Sequence, residues 1–417
     1  MNSGVKRVID YRDKSFPGSA AGLTIEDFLH TQPSIEHFST PLLTLDASDL
    51  QNNIAVMAQW VAHHGFELMP HGKTTMAPQL WRQQLDAGAT GITVATPWQA
   101  RVALTAGVPT VMLANECVDP PGLHWIVDYL NAHPEQSFIC WADSLDAVAC
   151  LDAIVAATPA NQPVGVLVEL GVPGGRTGAR TIAAAVDVAQ RICASPRLAL
   201  RGVAGYEGAV GHDRSLTSMG RIHRYLDDMK SLFEVIRGRV DDSAPIVSAG
   251  GSAFFDAVAQ VFASLGDGTA RVVLRSGAYL THDSGFYESI SPLGARLHPS
   301  EPHLRPASWG YARVLSCPDP GLALLDGGKR DFPFDEGLPT AVGQRASLGA
   351  PEQPFTGQVV STNDQHSYLH FEGESPRISS VVRLGLSHPC TMFDKWRLIP
   401  VIESESGTVV DVVETFF

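Results

Sequence analysis

The chain has 417 residues, with 30 lysines and arginines against 44 aspartates and glutamates, giving a formal charge of −14. Nothing in that balance supplies the phosphate-neutralising charge that nucleic acid or an anionic membrane would need as principal partner. No apolar run reaches the about 20 residues of a membrane span.

Residues 1–7 lack the apolar centre of a signal peptide. Six cysteines, at 117, 140, 150, 193, 317 and 390, are scattered without framework spacing, which points to a reducing, cytoplasmic setting. The length allows two domains, or one barrel plus a smaller module.

From residue 40 to 279, apolar strand-like runs alternate with helical patterns across short connections. The first run is 40–46, followed by a helix to 64. The runs 66–69, 92–96, 110–113, 138–141, 164–170, 198–206, 246–248 and 271–275 come next, each but the last followed by a helical stretch. These runs are apolar on both faces, as in a parallel sheet flanked by helices, and right-handed repeats of this kind close as a (β/α)8 TIM-type barrel. Nine candidate strands are one too many, so 40–46 is expected outside and 66–69 becomes the first barrel strand. After 279, Pro and Gly become denser and short β-rich runs take over, at 309–316, 322–326, 356–362, 379–384, 396–402 and 409–416. We therefore expect a barrel over 36–290 and an all-β domain over 291–417, with 1–35 attached to the latter.

Reacting groups collect at the carboxyl ends of barrel strands. Lys73 stands there, in Pro70-His71-Gly72-Lys73-Thr74. An amine held partly out of water has a lowered pKa and can form a Schiff base and shuttle a proton. The loop Glu169-Leu170-Gly171-Val172-Pro173-Gly174-Gly175-Arg176-Thr177-Gly178 is too irregular for a dinucleotide fingerprint. It offers Arg176 to a bound ring or carboxylate, and Tyr206 brings a phenol to the next strand end. Ser248-Ala249-Gly250-Gly251-Ser252 and Arg275-Ser276-Gly277-Ala278-Tyr279 follow the last two barrel strands, where backbone amides of small residues often hold phosphate. Read as an extended strand, His388-Pro389-Cys390 puts imidazole and thiolate on one face, a suitable pair for zinc. Residues 362–366 add polar groups or simply form a turn between two β runs.

In order and chemistry these segments resemble the D-serine dehydratase and D-threonine aldolase branch of the alanine-racemase-fold pyridoxal-phosphate enzymes, from residue 40 to the C-terminus. Trp396 and the closing Thr415-Phe416-Phe417 are similar to that branch as well. The resemblance implies an alanine-racemase-like fold and a homodimer. It implies Lys73 as the cofactor lysine, Arg176 and Tyr206 at the ring, and Gly250, Gly251, Ser252, Gly277 and Ala278 around the phosphate. It also implies His388 and Cys390 on zinc or another divalent metal. Ser276 and Ala278 depart from the branch, which more often shows Pro and Asn there.

Pyridoxal phosphate acidifies a substrate Cα–H, Lys73 is the obvious base for that proton, and a metal can take up charge on a departing β-oxygen. The same parts could run either β-elimination or retro-aldol cleavage. The His-x-Cys pair resembles the dehydratase version, whereas the aldolases more often carry His-x-Asp. The expectation is therefore D-serine dehydratase activity, giving pyruvate and ammonia, with D-threonine aldolase or 3-hydroxyaspartate dehydratase or aldolase as the alternative. A racemase would need a second base that the sequence does not single out. A non-catalytic cofactor carrier would not need the β domain, and a phosphate-binding barrel without pyridoxal would leave Lys73 unexplained.

Overall fold

A computed structural model describes residues 7–158, 160–240 and 244–417. The described residues form two compact units, one within 57–73 and 81–277, the other within 7–56, 74–80 and 278–417. The division falls elsewhere than the boundary expected at 290, because the first strand and the segment after Lys73 pack with the C-terminal residues.

After β1 (Leu42–Asp46), the barrel unit carries β2 (Glu67–Leu68), β3 (Ile92–Val94), β4 (Thr110–Glu116), β5 (Ser137–Ala142), β6 (Val164–Glu169), β7 (Leu198–Ala204), β8 (Ile246–Ala249) and β9 (Arg271–Leu274). All eight are parallel, in the order β2-β9-β8-β7-β6-β5-β4-β3. A bridge between His71 and Thr93 joins the two ends of that sheet. Both faces are covered: β6 is buried at every position, and Met69, Met112, Ile139, Trp141, Leu167, Ala204, Ile246 and Val273 fill the interior.

Five βα connections end in a side chain that accepts a backbone N–H of the helix it opens: Thr96, Asp119, Ser144, Thr181 and Ser215. Such caps stabilise each helix start by about 0.5–2 kcal/mol and fix where each loop above the barrel must end.

The β unit adds β10 (Ser308–Asp319), β11 (Leu322–Leu325), β12 (Thr340–Arg345), β13 (Gly357–Thr362), β14 (Ser367–Phe371), β15 (Val381–Gly385), β16 (Leu398–Ile402) and β17 (Val409–Glu414). They form a nine-stranded sheet ordered β11-β14-β13-β12-β15-β10-β1-β16-β17, so β1 lies outside the barrel as expected. β1 runs parallel to β16 and antiparallel to β10. Leu43, Leu45, Phe332, Leu384, Phe393 and Trp396 belong to its core. Sequence reading missed β12 and β14, whose Thr-Ala-Val-Gly-Gln-Arg and Ser-Tyr-Leu-His-Phe mix polar side chains and glycine into an incomplete alternation. Residues 362–366 form the turn between β13 and β14, closed by Asn363 N–H donating to His366 O at 2.9 Å. Among the described residues no helix is long and apolar enough to cross a membrane.

Candidate active site

The segment carrying Lys73 is stitched to the barrel strands on either side. His71 N–H donates to Arg275 O at 3.1 Å and Thr93 N–H to Pro70 O at 2.9 Å, while Thr93 Oγ1 donates to Met69 O at 2.6 Å. Gly72 allows this closeness, since a Cβ there would sit 2.7 Å from Ile92 and 2.9 Å from Trp81. Lys73 itself is exposed, so the chain does not supply the shielding from water that the sequence reading gave it. Beside it, the half-buried His71 keeps one ring nitrogen away from water. Burial first, then the positive charges of Lys73, Arg275 and Arg176, hold its imidazole neutral, well below the usual pKa. Its Nδ1 is buried and has no hydrogen-bond partner.

Arg176 and Tyr206 come together: the Arg176 guanidinium lies 5.1 Å from the Tyr206 ring centroid, and both line one recess with Glu169, Thr177 and Tyr225. Arg180, which sequence reading passed over, organises their loop by donating to Val172 O, Thr177 O, Gly175 O and Arg176 O at 2.8–3.2 Å. Gly178 has φ +95° and packs its Cα side against Gly171, closing the base of that loop. Tyr225 Oη donates to Leu170 O at 2.6 Å and accepts Tyr206 N–H at 3.0 Å, which fixes the approach of the Tyr206 segment.

The glycines assigned to a phosphate have partners inside the barrel. Gly250 and Gly251 N–H donate to the two oxygens of Glu207 at 3.0 and 2.6 Å, and Gly277 N–H donates to Ser252 Oγ at 3.2 Å. A buried carboxylate thus takes two amides that the sequence reading aimed at an anion. The cause is Arg275: wholly buried, it donates to Ser248 Oγ and Gly205 O at 2.6 Å each, lies 4.7 Å from the Trp141 ring centroid, and needs the countercharge that Glu207 supplies. The glycines also serve close packing. A Cβ on Gly251 would meet the Tyr206 ring at 2.7 Å, and one on Gly277 would meet His71 O at 2.5 Å. Ala278 opens the one-turn segment Ala278–Leu280 of the β unit.

Sequence reading also missed Glu116, Asp143 and Glu169, at the carboxyl ends of β4, β5 and β6, whose oxygens lie within 4.8 Å of one another. Burial, then the nearby Glu116, pushes Glu169 up to about 8, and burial raises Glu116 too. Each has one buried oxygen without a partner, and a proton shared between them satisfies both. A carboxylate ending a wholly apolar strand was the available signal. A larger cavity, lined by Arg201 and Arg271 at the opposite strand ends, holds none of these groups.

In the β unit, His388 and Cys390 do meet, but not on a strand. His388 has φ +63°, Pro389 turns the chain, and Cys390 begins the short helix Cys390–Phe393. Burial opposes charge on His388, yet the Cys390 sulfur and the Asp335 carboxylate outweigh it and raise its pKa to about 9. Cys390 Sγ is 3.3 Å from Thr74 Oγ1. Imidazole nitrogen plus thiolate sulfur suits zinc or a similar divalent ion. In the barrel unit, the positive charges of Lys73, Arg275 and Arg176, all near enough to act on His71, suit an anionic aromatic group. The residues fit both groups.

Residues 45–261 match the family described as alanine racemase, N-terminal domain. The chain belongs to that family. Residues 307–402, which include His388 and Cys390, match the putative serine dehydratase domain, and the two matches place the chain in the D-serine dehydratase and D-threonine aldolase branch of the alanine-racemase fold. A D-threonine aldolase from Arthrobacter sp is 26% identical over 379 residues, covering 90% of this chain and 91% of the relative. The solved D-threonine aldolase from Filomicrobium marinum superposes with a TM-score of 0.77 at 21% identity, covering 92% of this chain and 96% of that one. The D-threo-3-hydroxyaspartate dehydratase from Delftia sp. HT23 gives a TM-score of 0.71 at 19% identity, over 92% of this chain and 99% of that one. Solved variants of a D-threo-3-hydroxyaspartate dehydratase replace a histidine and, two positions on, a cysteine, the latter in a metal-free form. Family and fold thus agree with the alanine-racemase-like architecture expected from the sequence.

Proposed function

We propose that this chain is a pyridoxal-phosphate and divalent-metal lyase of β-hydroxy-D-amino acids, eliminating water from a 3-hydroxyaspartate-type substrate. The observation that carries the reading is Lys73 in a segment pinned to the barrel mouth by His71 N–H to Arg275 O and Thr93 N–H to Pro70 O, with Arg176 against the Tyr206 ring at the ends of β6 and β7. When bound, the cofactor withdraws electrons from the substrate Cα, and a divalent ion acts as Lewis acid toward the β-oxygen.

Lys73 Nζ would hold the cofactor aldehyde, and its free amine would be the base for the Cα proton. His71 stays neutral throughout, because its charged form is buried among cations. Arg176 and Tyr206 would position the ring, Ser252 would add a hydroxyl toward the phosphate, and His388 with Cys390 would hold the metal, zinc being the first choice for an imidazole–thiolate pair.

D-serine, first on the sequence alone, gives way to larger substrates because the relatives' names are those of enzymes for threonine and hydroxyaspartate. The cysteine two positions after a histidine, shared with the Delftia dehydratase, favours elimination over cleavage. A second reading, retro-aldol cleavage of D-threonine, is favoured by the Arthrobacter relative's coverage of nearly the whole chain. A product panel on the purified chain separates them. Oxaloacetate and ammonia from D-threo-3-hydroxyaspartate support elimination. Glycine with glyoxylate or acetaldehyde supports cleavage, and pyruvate from D-serine alone restores the first expectation. Borohydride reduction followed by peptide mapping that leaves Lys73 unmodified would overturn all three.

A further inference from the structure

We propose that Asp335 is the positioning residue that sets the metal affinity of the His388–Cys390 pair, an inference that rests on the metal reading of that pair. Asp335 Oδ2 lies 2.6 Å from His388 Nδ1, within the range of a charge-assisted hydrogen bond. Its other oxygen accepts Thr391 Oγ1 at 2.5 Å. Thr391 directly follows Cys390, so one turn supplies both metal donors and the clamp on the carboxylate that orients them.

With the Nδ1 proton directed at Asp335, the neutral imidazole presents its lone pair at Nε2. A carboxylate behind a ligating histidine also raises the basicity of the ligating nitrogen and fixes the ring. The backbone is held as firmly. The left-handed His388, with φ +63°, donates its N–H to Asp283 Oδ2 at 3.0 Å. Asp283 is buried, and its other oxygen accepts Gly285 N–H and Tyr287 N–H at 2.9 and 2.8 Å. Both the peptide and the ring of His388 therefore answer to carboxylates, while its side chain also meets the Cys390 sulfur.

Asp335 does not complete a trio of ligands itself. Among the described residues the one grouping of three whose ligand atoms all lie within 4.8 Å is Glu116, Asp143 and Glu169. The competing account makes Asp335 an ordinary half-exposed ion pair, which contributes little to folding and nothing to a metal.

The test uses the purified full chain, stripped with a chelator and titrated with Co²⁺ and Zn²⁺ against a chromogenic competitor. The thiolate-to-cobalt charge-transfer band reports the Cys390 bond. Asp335→Ala should weaken affinity about 10–100-fold, the range of outer ligand partners elsewhere. Asp335→Asn, which keeps an acceptor for Nδ1–H, should lose less, and Thr391→Val should fall between Asn and the parent. The metal-depleted parent and Asp335→Ala chains should melt at the same temperature. Equal affinity in the parent and Asp335→Ala overturns the inference while leaving the metal pair standing. A parent that shows no charge-transfer band and no stoichiometric binding removes the metal reading, and the inference with it. Should Asp335→Ala fail to fold, Asp335→Asn and Thr391→Val decide: affinities equal to the parent's in both overturn it.

Discussion

Replacing Glu169 by glutamine isolates the carboxyl pair at the ends of β4 and β6. Glutamine keeps an oxygen for Thr177 Oγ1, which donates to Glu169 Oε1 at 3.1 Å, and removes the titration. Glu169 is only 3% exposed, and its pKa moves from 4.5 to about 8. Below pH 4.5 the group is protonated folded and unfolded, so its contribution is complete. Between 4.5 and about 8 it stays protonated only in the fold, and stability falls by up to about 1.4 kcal/mol per pH unit. Above 8 no further loss occurs. The full displacement caps the effect at about 5 kcal/mol, and sharing of one proton with Glu116 spreads the titration over the pair and keeps the loss below that cap. Urea denaturation of parent and Glu169→Gln at several pH values from 5 to 9 reads the difference directly. The variant should gain on the parent steadily through neutral pH and keep its lead at pH 9. Two curves that stay parallel from pH 5 to 9 would refute the shared proton.

Arg275→Met should destabilise the barrel unit by about 3–5 kcal/mol in denaturant melts, because it leaves buried Glu207 without its countercharge. Gly251→Ala pushes a Cβ to 2.7 Å from the Tyr206 ring. It should cost about 1–3 kcal/mol and lower the visible cofactor absorbance retained per chain; Gly277→Ala, which meets the His71 backbone instead of a movable ring, should do so more severely. Chelation, or Cys390→Ala, should abolish turnover on a β-hydroxy-D-amino acid while the visible absorption of the loaded protein persists, and full turnover after exhaustive metal removal would count against the pair. Lys73→Ala should purify colourless, as judged by its absorption spectrum.

The barrel was legible because its signals are local and repeated. Apolar runs such as Val164-Gly165-Val166-Leu167-Val168 can only be buried strands, and a Ser, Thr or Asp after most of them opens the next helix. The β unit was less so. β12 and β14 break the apolar alternation with polar residues and glycine, although β14 pairs with β13 across a short turn, and β1 could be set outside the barrel only by counting strands, since its partners β10 and β16 lie more than 260 and 350 residues away. His388-Pro389-Cys390 was legible as a donor pair but not as geometry, since only the fold shows that His388 takes a left-handed backbone with Asp283 behind its N–H.

What the sequence hid most completely is charge that is spent inside the protein. Lys73, Arg176 and the glycines announce themselves because their usual functions are known. Glu207, Glu169 and Asp335 look like ordinary acids until their partners are seen, and each then does something different. Glu207 neutralises Arg275 and orders the Gly250-Gly251 turn. Glu169 keeps a proton near Arg176, and Asp335 holds the inner nitrogen of His388. At the barrel mouth the consequence is that the acids have separate tasks: Glu116, Asp143 and Glu169 cluster at the ends of β4 to β6, while Glu207 after β7 answers the buried Arg275 after β9. A neutral Glu169 leaves Arg176, on the loop after the same strand, to the Tyr206 ring at physiological pH, because an ionised one would draw Arg176 toward itself. The Arg176–Tyr206 contact and the raised Glu169 pKa are thus one arrangement, and Glu169→Asp, which shortens the reach to Glu116, should disturb both together.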